Sequence, residues 1–433
     1  MRILMLTWEF PPIMTGGLGV ACYGMAKSLL SMGIEIDLII PTNEEVYFPL
    51  RKPADVDSLP VAFVDSAKEK KFGKKVDIQQ IIESSGYADI AYATTGERTF
   101  KRVWEEGILE GIKGVTSLEF LFDILSKDGP LFPEVRNYTA KAINIAKKLD
   151  FDIIHAHDWL TSPAALLIKG LSGKPWVAHI HSTEFDRAGG AGDSRIHNIE
   201  YMGVRLADRI ITVSSYTSNI IVEKYLADPK RITVVHNAFV GEVEGKPKQR
   251  IFKEPTVVFI GRITLQKGPD YFLEVARKVL KKEKKVRFIM GGRGDMEREI
   301  LHEAASLGLG TRFLFAGFLT REDLESILSA ADIFIMPSIS EPFGIVPLEA
   351  MSYGAVAIIS KQSGVAEIVE SAYKVDFWDI DAMADAIYGI LTYPALSQMF
   401  IRNGKEEVVK LKWDNSALHV KNIYYEVVSN HNK

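Results

Sequence analysis

The stretch "ADIFIMPSISEPFGIVPLEA", Ala331 to Ala350, decides how the rest of the chain is read. Its first part is a short apolar run that reads as a buried strand. Glu341 follows at the strand's mouth, and Glu349 falls inside the next predicted helix. A carboxylate beside an apolar strand end costs free energy unless it has hydrogen-bond partners. The turn "SEPFG" places Glu341 where it can grip a hydroxyl of a polar ligand. Glu349, about two helical turns further along, points to nearly the same face and can reach a second polyol.

The same alternation runs outward in both directions. "RILMLTW" leads to the helical "GVACYGMAKSLLSMG", then "IEIDLIIP", "FDIIHAHD", "PWVAHIHS", "RIITVSS" and "ITVVHNA". A second series follows: "TVVFIGR", "VRFIMGG", "RFLFAGF", "ADIFIMPS", "AVAIISK" and "YKVDF". Continuous apolar strands between helices imply a parallel sheet covered on both faces. The polar run Phe239 to Pro255 separates the two series and reads as a linker. With 433 residues the chain is too long for one ordinary core. The expectation is an α/β protein of two doubly wound Rossmann-like domains around an interdomain cleft. They span residues 1–240 and 255–412, with a linker over 241–254. Residues 413–433 form one more amphipathic helix, free to pack back on the first domain or on the second. Asn43 to about Val135 is less regular and carries no clear assignment.

Composition narrows the class. A chain 47% hydrophobic and 25% charged is globular. A net charge of −4 with Lys and Arg spread along the chain argues against a nucleic-acid partner. The run "KKEKK", Lys281 to Lys285, reads as a solvated helix end. One cysteine, Cys22, builds neither a disulfide framework nor a structural zinc site, so a reducing cytoplasm fits. The start "MRILMLTWEFPP" reads as a strand rather than a signal peptide. No stretch approaches the roughly 18 apolar residues of a membrane helix.

Ligands of open parallel sheets bind beyond the carboxyl ends of the strands. There this chain places Gly16 and Gly17, His157, His181, His236, Arg262 and Lys267, Gly291 and Gly292, Gly317, Glu341, and Lys361. Gly16 and Gly17 either make a tight turn or let a diphosphate approach a helix N-terminus. Arg262 and Lys267 are surface charges if taken singly; together, just before a helix, they can neutralise a diphosphate leaving group. His155 reads as a buried histidine still on its strand, whereas His157 falls at the strand's mouth, where a sugar hydroxyl could meet it. The histidines share no helix face or short repeat of the kind a metal site uses. Asp150 and Asp152 precede their strand, and Asp379 reads as a helix N-cap. No metal and no dinucleotide cofactor is expected, because the glycine fingerprints for the latter are absent.

The segments "GGLG", "HAHDW", "GRITLQKG" and above all "EPFGIVPLEAMSYG" resemble the retaining GT-B glycosyltransferases. The likeness is strongest to the glycogen and starch synthases and their sucrose-synthase-type relatives, and spans nearly the whole chain except Asn43 to about Val135. It implies a nucleoside-diphosphate sugar as donor and co-substrate, with retention at the anomeric carbon. Glu341 would hold donor-sugar hydroxyls and Glu349 the ribose. Backbone amides of Phe343, Gly344, Ile345 and Val346 would meet the sugar and distal phosphate. Arg262 and Lys267 would carry the leaving diphosphate, Gly17, beside Gly16, would give it an amide, and His157 would touch the sugar's 6-hydroxyl. The first domain would be the acceptor side and the second the donor side. The expected reaction is glucosyl transfer from ADP-glucose or UDP-glucose to an α-1,4-glucan. The alternatives are a small sugar, sugar phosphate or lipid-linked glycan as acceptor, or a non-catalytic nucleotide-sugar-binding regulator. In one place the chain departs from the pattern: Met14 stands where glycogen synthases begin the loop K-x-G-G-L with lysine. "HSTEFDR", His181 to Arg187, also differs from their usual segment.

Overall fold

The computed structural model describes residues 1–12, 16–41, 61–63, 121, 124–125, 131–189, 192–239 and 251–432. Met14, nearly all of the irregular region after Asn43, and most of the linker lie outside the described residues.

The first half contains strands β1 (Arg2–Leu6), β2 (Glu35–Ile40), β3 (Val61–Phe63), β4 (Ile153–His157), β5 (Trp176–Ile180), β6 (Arg209–Thr212) and β7 (Ile232–Val234). They form one parallel sheet in the order β3-β2-β1-β4-β5-β6-β7. Its helices are α1 (Gly17–Ser31), α2 (Phe132–Ala146), α3 (Ser162–Ser172), α4 (Glu184–Ala188), α5 (Ser194–Leu206) and α6 (Ser215–Tyr225). The second half contains β8 (Thr256–Ile260), β9 (Arg287–Gly291), β10 (Phe313–Gly317), β11 (Ile333–Met336), β12 (Val356–Ser360) and β13 (Tyr373–Val375). These too are parallel, in the order β10-β9-β8-β11-β12-β13. They are flanked by α7 (Pro269–Lys282), α8 (Glu297–Ser306), α9 (Arg321–Ala330), α10 (Val346–Ser352), α11 (Ile380–Thr392) and α12 (Pro394–Val408), and α13 (Trp413–His431) closes the chain. The architecture is two doubly wound Rossmann-like units, the GT-B fold.

The inner strands form because they are apolar on both faces. Ile3, Leu4, Met5 and Leu6 of β1 are all fully buried, under different sets of helices. Helix α7 is instead two-sided: Phe272, Leu273, Val275, Ala276 and Val279 enter the core of the second sheet, while Lys281 and Lys282 complement the negative end of the helix. The closing helix α13 packs on α1 of the first sheet, burying Trp413, Ala417, Val420, Ile423 and Tyr424. The indole of Trp413 lies so close to Gly24 that a Cβ there would come within 2.5 Å of the ring.

Both sheets reverse their winding beside their first strand, between β1 and β4 and between β8 and β11. In such sheets the crevice opens at the carboxyl ends of those strand pairs. Gly17 and His157 stand at the first crevice, Lys267 and Glu341 at the second. The halves touch close by. Ser214 Oγ donates to the Pro342 carbonyl at 2.6 Å. Tyr216 donates to Ser340 Oγ at 3.0 Å, and Ser340 to Asp186 Oδ1 at 2.6 Å. Glu367 of the second half accepts the opening amides of α6 from Ser215 and Tyr216, at 2.9 and 2.7 Å.

Candidate active site

Glu341 is held by its own backbone. Its amide donates to the Gln362 carbonyl and its carbonyl accepts from the Gly364 amide, both at 2.9 Å, a parallel bridge just past the ends of β11 and β12. The residue is 7% exposed. It ion-pairs with Lys267 Nζ and accepts from Ser338 Oγ at 3.4 Å. The buried carboxylate therefore has the partners its burial demands. Lys267 comes from the single turn after β8, Leu265–Lys267, so the pair joins the two strands of the switch point. Arg262 is exposed in the same loop and donates from Nη2 to Gln266 at 2.9 Å.

The next four residues carry the amides. Phe343 is buried, and its carbonyl accepts from Val365 at 2.7 Å. Gly344 has φ +96°, and a Cβ there would come 3.2 Å from Glu341 Cγ and from Met336 Sδ. A side chain would be strained and would push on the acid. Ile345 and Val346 open α10, where the first amides have no acceptor within the helix. Pro347 suits that position because it gives up no intrahelical bond.

Across the crevice Gly16 is the exposed cap residue of α1 and Gly17 its first residue. A Cβ on Gly17 would lie 3.8 Å from the Ile345 side chain. The glycine turn of the first sheet thus faces the Phe343–Val346 loop of the second. Glu349 sits on α10, 6% exposed, and accepts from Arg321 Nη1 of α9 at 2.7 Å. Sequence reading placed Glu349 but missed Arg321, which is 28 residues away on another helix. It also missed Glu367 and Asp186, whose partners belong to the opposite half.

His157 stands at the carboxyl end of β4, as its last residue, and is fully buried. Its Nδ1 shares a hydrogen bond with His181 Nε2 at 2.8 Å. His155 Nε2 and His179 Nδ1 pair at 3.1 Å, and Tyr424 closes the row on His155 Nδ1 at 2.6 Å. Four imidazoles thus stack between the first sheet and the helices α1 and α13, with the rings of His155 and His157 4.3 Å apart and those of His179 and His181 likewise 4.3 Å. Burial, reinforced by the neighbouring imidazoles, holds His155, His157 and His179 well below the ordinary histidine range, and burial pushes His181 down to about 3. The rings are neutral at pH 7. Beside them Asp158 adopts φ +59° and accepts the amides of His181 at 2.6 Å and Ser182 at 3.3 Å. Burial pushes its carboxyl up to about 7 against the pull of Arg187.

His236 pairs with Glu367 at 2.8 Å. Asp152 accepts the Arg2 amide at 2.8 Å, at the amino end of the first sheet. Asp379 caps α11 through the Ala382 amide at 2.9 Å, as its sequence position suggests. No helix among the described residues is long and apolar enough to cross a membrane.

Three family models match the chain in succession. They are the starch synthase catalytic domain over residues 2–111, glycosyltransferase family 4 over 116–239, and glycosyl transferases group 1 over 243–407. An uncharacterized glycosyltransferase of Methanocaldococcus jannaschii is 26% identical over 98% of each chain. The glycogen synthase of Mycobacterium tuberculosis is 24% identical over 98% of this chain and 94% of its own. Among solved structures, the catalytic domain of starch synthase IV from Arabidopsis thaliana, bound to ADP and acarbose, shares the fold with a TM-score of 0.67, at 17% identity and 99% coverage of both chains. This chain is a glycosyltransferase of the GT-B type, similar to the glycogen and starch synthases.

Proposed function

We propose that the protein is a retaining hexosyltransferase that moves a glucosyl unit from ADP-glucose or UDP-glucose to an α-1,4-glucan. One observation carries the reading: the buried Lys267–Glu341 pair stands at the β8/β11 switch point, beside the amides of Gly344 to Val346 and across from the glycine turn at Gly17. The donor sugar lies on Glu341 and its diphosphate between Lys267, Arg262 and the glycine turn. As the bond from the anomeric carbon to the phosphate oxygen breaks, the diphosphate gains charge. Lys267, Arg262 and the opening amides of α1 and α10 oppose that charge. The acceptor hydroxyl attacks from the face the diphosphate leaves, which retains configuration. Its proton passes to a departing phosphate oxygen, so no carboxylate nucleophile and no metal is required. Glu349 holds the ribose, oriented by Arg321, and His157 meets the sugar's 6-hydroxyl through Nε2, its one uncommitted nitrogen.

A second acceptor class has its own support. "HSTEFDR" builds a buried charged cluster, with Arg187 between Glu184 at 3.0 Å and Glu200 at 2.5 Å, in the half assigned to the acceptor. The alternative is therefore the same transfer to a small sugar, sugar phosphate or lipid-linked glycan. Mass spectrometry of products from ADP-glucose and UDP-glucose, offered with malto-oligosaccharides and with monosaccharides, tests the assignment. Oligosaccharides longer by one hexose support the glucan. Product on the monosaccharides alone moves the enzyme to the second class, and donor consumption with neither overturns both.

A further inference from the structure

We propose that the histidine stack of the first sheet is a binding site for one late-transition-metal dication of the zinc type, held by His155, His157 and His179. The three residues are buried, and each offers a donor atom within 4.8 Å of the other two. Two of them have a nitrogen with nothing to do: Nε2 of His157 and Nε2 of His179 are buried and lack a hydrogen-bond partner. A buried polar atom without a partner destabilises the fold that holds it. A metal bond would satisfy both at once.

The surroundings are those of a ligand set. A metal-bound imidazole needs its other nitrogen held, so that the ring is fixed and the coordinating nitrogen carries the lone pair. Tyr424 holds Nδ1 of His155 at 2.6 Å, and His181 holds Nδ1 of His157 at 2.8 Å. Only the His155–His179 bond, at 3.1 Å, must open to admit the ion. Depressed protonation keeps the rings neutral, the form that coordinates. Three nitrogen donors without an oxygen donor select zinc, cobalt, nickel or copper over magnesium or calcium. Sequence spacing hid the set, because His155 and His179 belong to different strands and meet only through the β4–β5 register.

One consequence rests on the proposed function. Nε2 of His157 cannot serve both a metal and the donor sugar, so metal occupancy should suppress transfer.

The test uses the full-length protein, stripped with chelator and titrated with Co²⁺, with Zn²⁺ in competition. The expected result is a visible d–d spectrum of one four-coordinate cobalt per chain, displaced by zinc. His179→Gln should weaken the affinity by about a hundredfold or more, since losing a ligand exceeds the loss of an outer-shell partner. His179 is outside the proposed transfer machinery, so turnover of that variant without metal also reports that it folds. If it does not fold, the wild-type titration decides alone. Absence of a cobalt spectrum at millimolar metal overturns the proposal, as does binding that His179→Gln leaves unchanged. A near-ultraviolet thiolate-to-cobalt band also overturns the ligand set, because it places the ion on the neighbouring group Cys22, His157 and His181. Stoichiometric binding without loss of turnover keeps the metal site and instead removes His157 from the transfer reaction.

Discussion

The two crevices of this molecule are built from opposite materials. That of the second sheet is made of charges in pairs, Lys267 with Glu341 and Arg321 with Glu349. That of the first is made of neutral rings and a glycine turn. A charge removed from water is tolerable only with a partner, and a buried histidine escapes the same cost by giving up its proton. On the proposed function, the second crevice answers a charged ligand by exchanging a carboxylate partner for a phosphate. The first offers hydrogen bonds and lone pairs.

Breaking the charged side should have the largest effect. On the proposed function, Lys267→Ala removes the cation from the leaving diphosphate, and it leaves the buried Glu341 without its ion-pair partner, held by Ser338. Loss of one preorganised group of this type lowers kcat by about 10²–10³. Removing one partner of a buried pair costs about 3–5 kcal/mol, at the lower end here because Lys267 is 18% exposed. Stopped assays beside urea unfolding should show both losses. A variant that is destabilised but fully active would make the pair structural.

Glu341→Ala should be milder in stability and still severe in rate. A hydrogen bond to a charged group is worth about 1.5–3 kcal/mol, so kcat should fall about ten- to a hundredfold or more. Lys267, relieved of its partner, can turn toward the crevice. Steady-state kinetics with melting curves checks this, and full activity would break the assignment.

Glu349→Ala should raise donor KM more than it lowers kcat, because ribose contacts are similar in ground and transition states. Arg321→Ala should shift KM the same way by less, since it acts by orienting Glu349. In a double-mutant cycle the two should be strongly non-additive. Additive effects would separate Arg321 from the donor site.

The neutral side should show itself in acid. Histidines whose folded pKa is depressed contribute stability that is full above the unfolded value, about 6.5, and is lost as pH falls below it. Asp158 and Glu200 in this half, and Asp270 and Glu303 in the other, act in the opposite direction because burial raises their pKa. The stack should make stability fall as pH drops below about 6, each histidine contributing at most about 1.4 kcal/mol per pH unit. Urea midpoints across pH 4–8 measure this. His179→Gln should flatten the slope by about one group, and an unchanged slope would show that the stack is not its source.

The smallest effect expected is none: turnover should persist in EDTA, since Lys267, Arg262 and helix amides supply the positive charge. Loss of activity restored by magnesium would overturn that.

Much of this was legible in the sequence. Apolar runs alternating with helical periods specify parallel sheets, and the glycines, Lys267 and Glu341 each follow a run at the end where ligands bind. These are local facts, encoded within one strand and the turn after it. Periodicity says which face a residue takes but not what it meets there. Arg321 reaches Glu349 only because α9 and α10 pack together, and Glu367 caps α6 only because the two halves meet. "HAHDW" places His157 at the end of its strand; the β4–β5 register and the docking of Tyr424 from the far end of the chain make it part of a buried stack. Local pattern determined the elements and their functional ends. Register and packing, which depend on contacts between residues far apart in the chain, decided which side chains share a charge or a hydrogen bond.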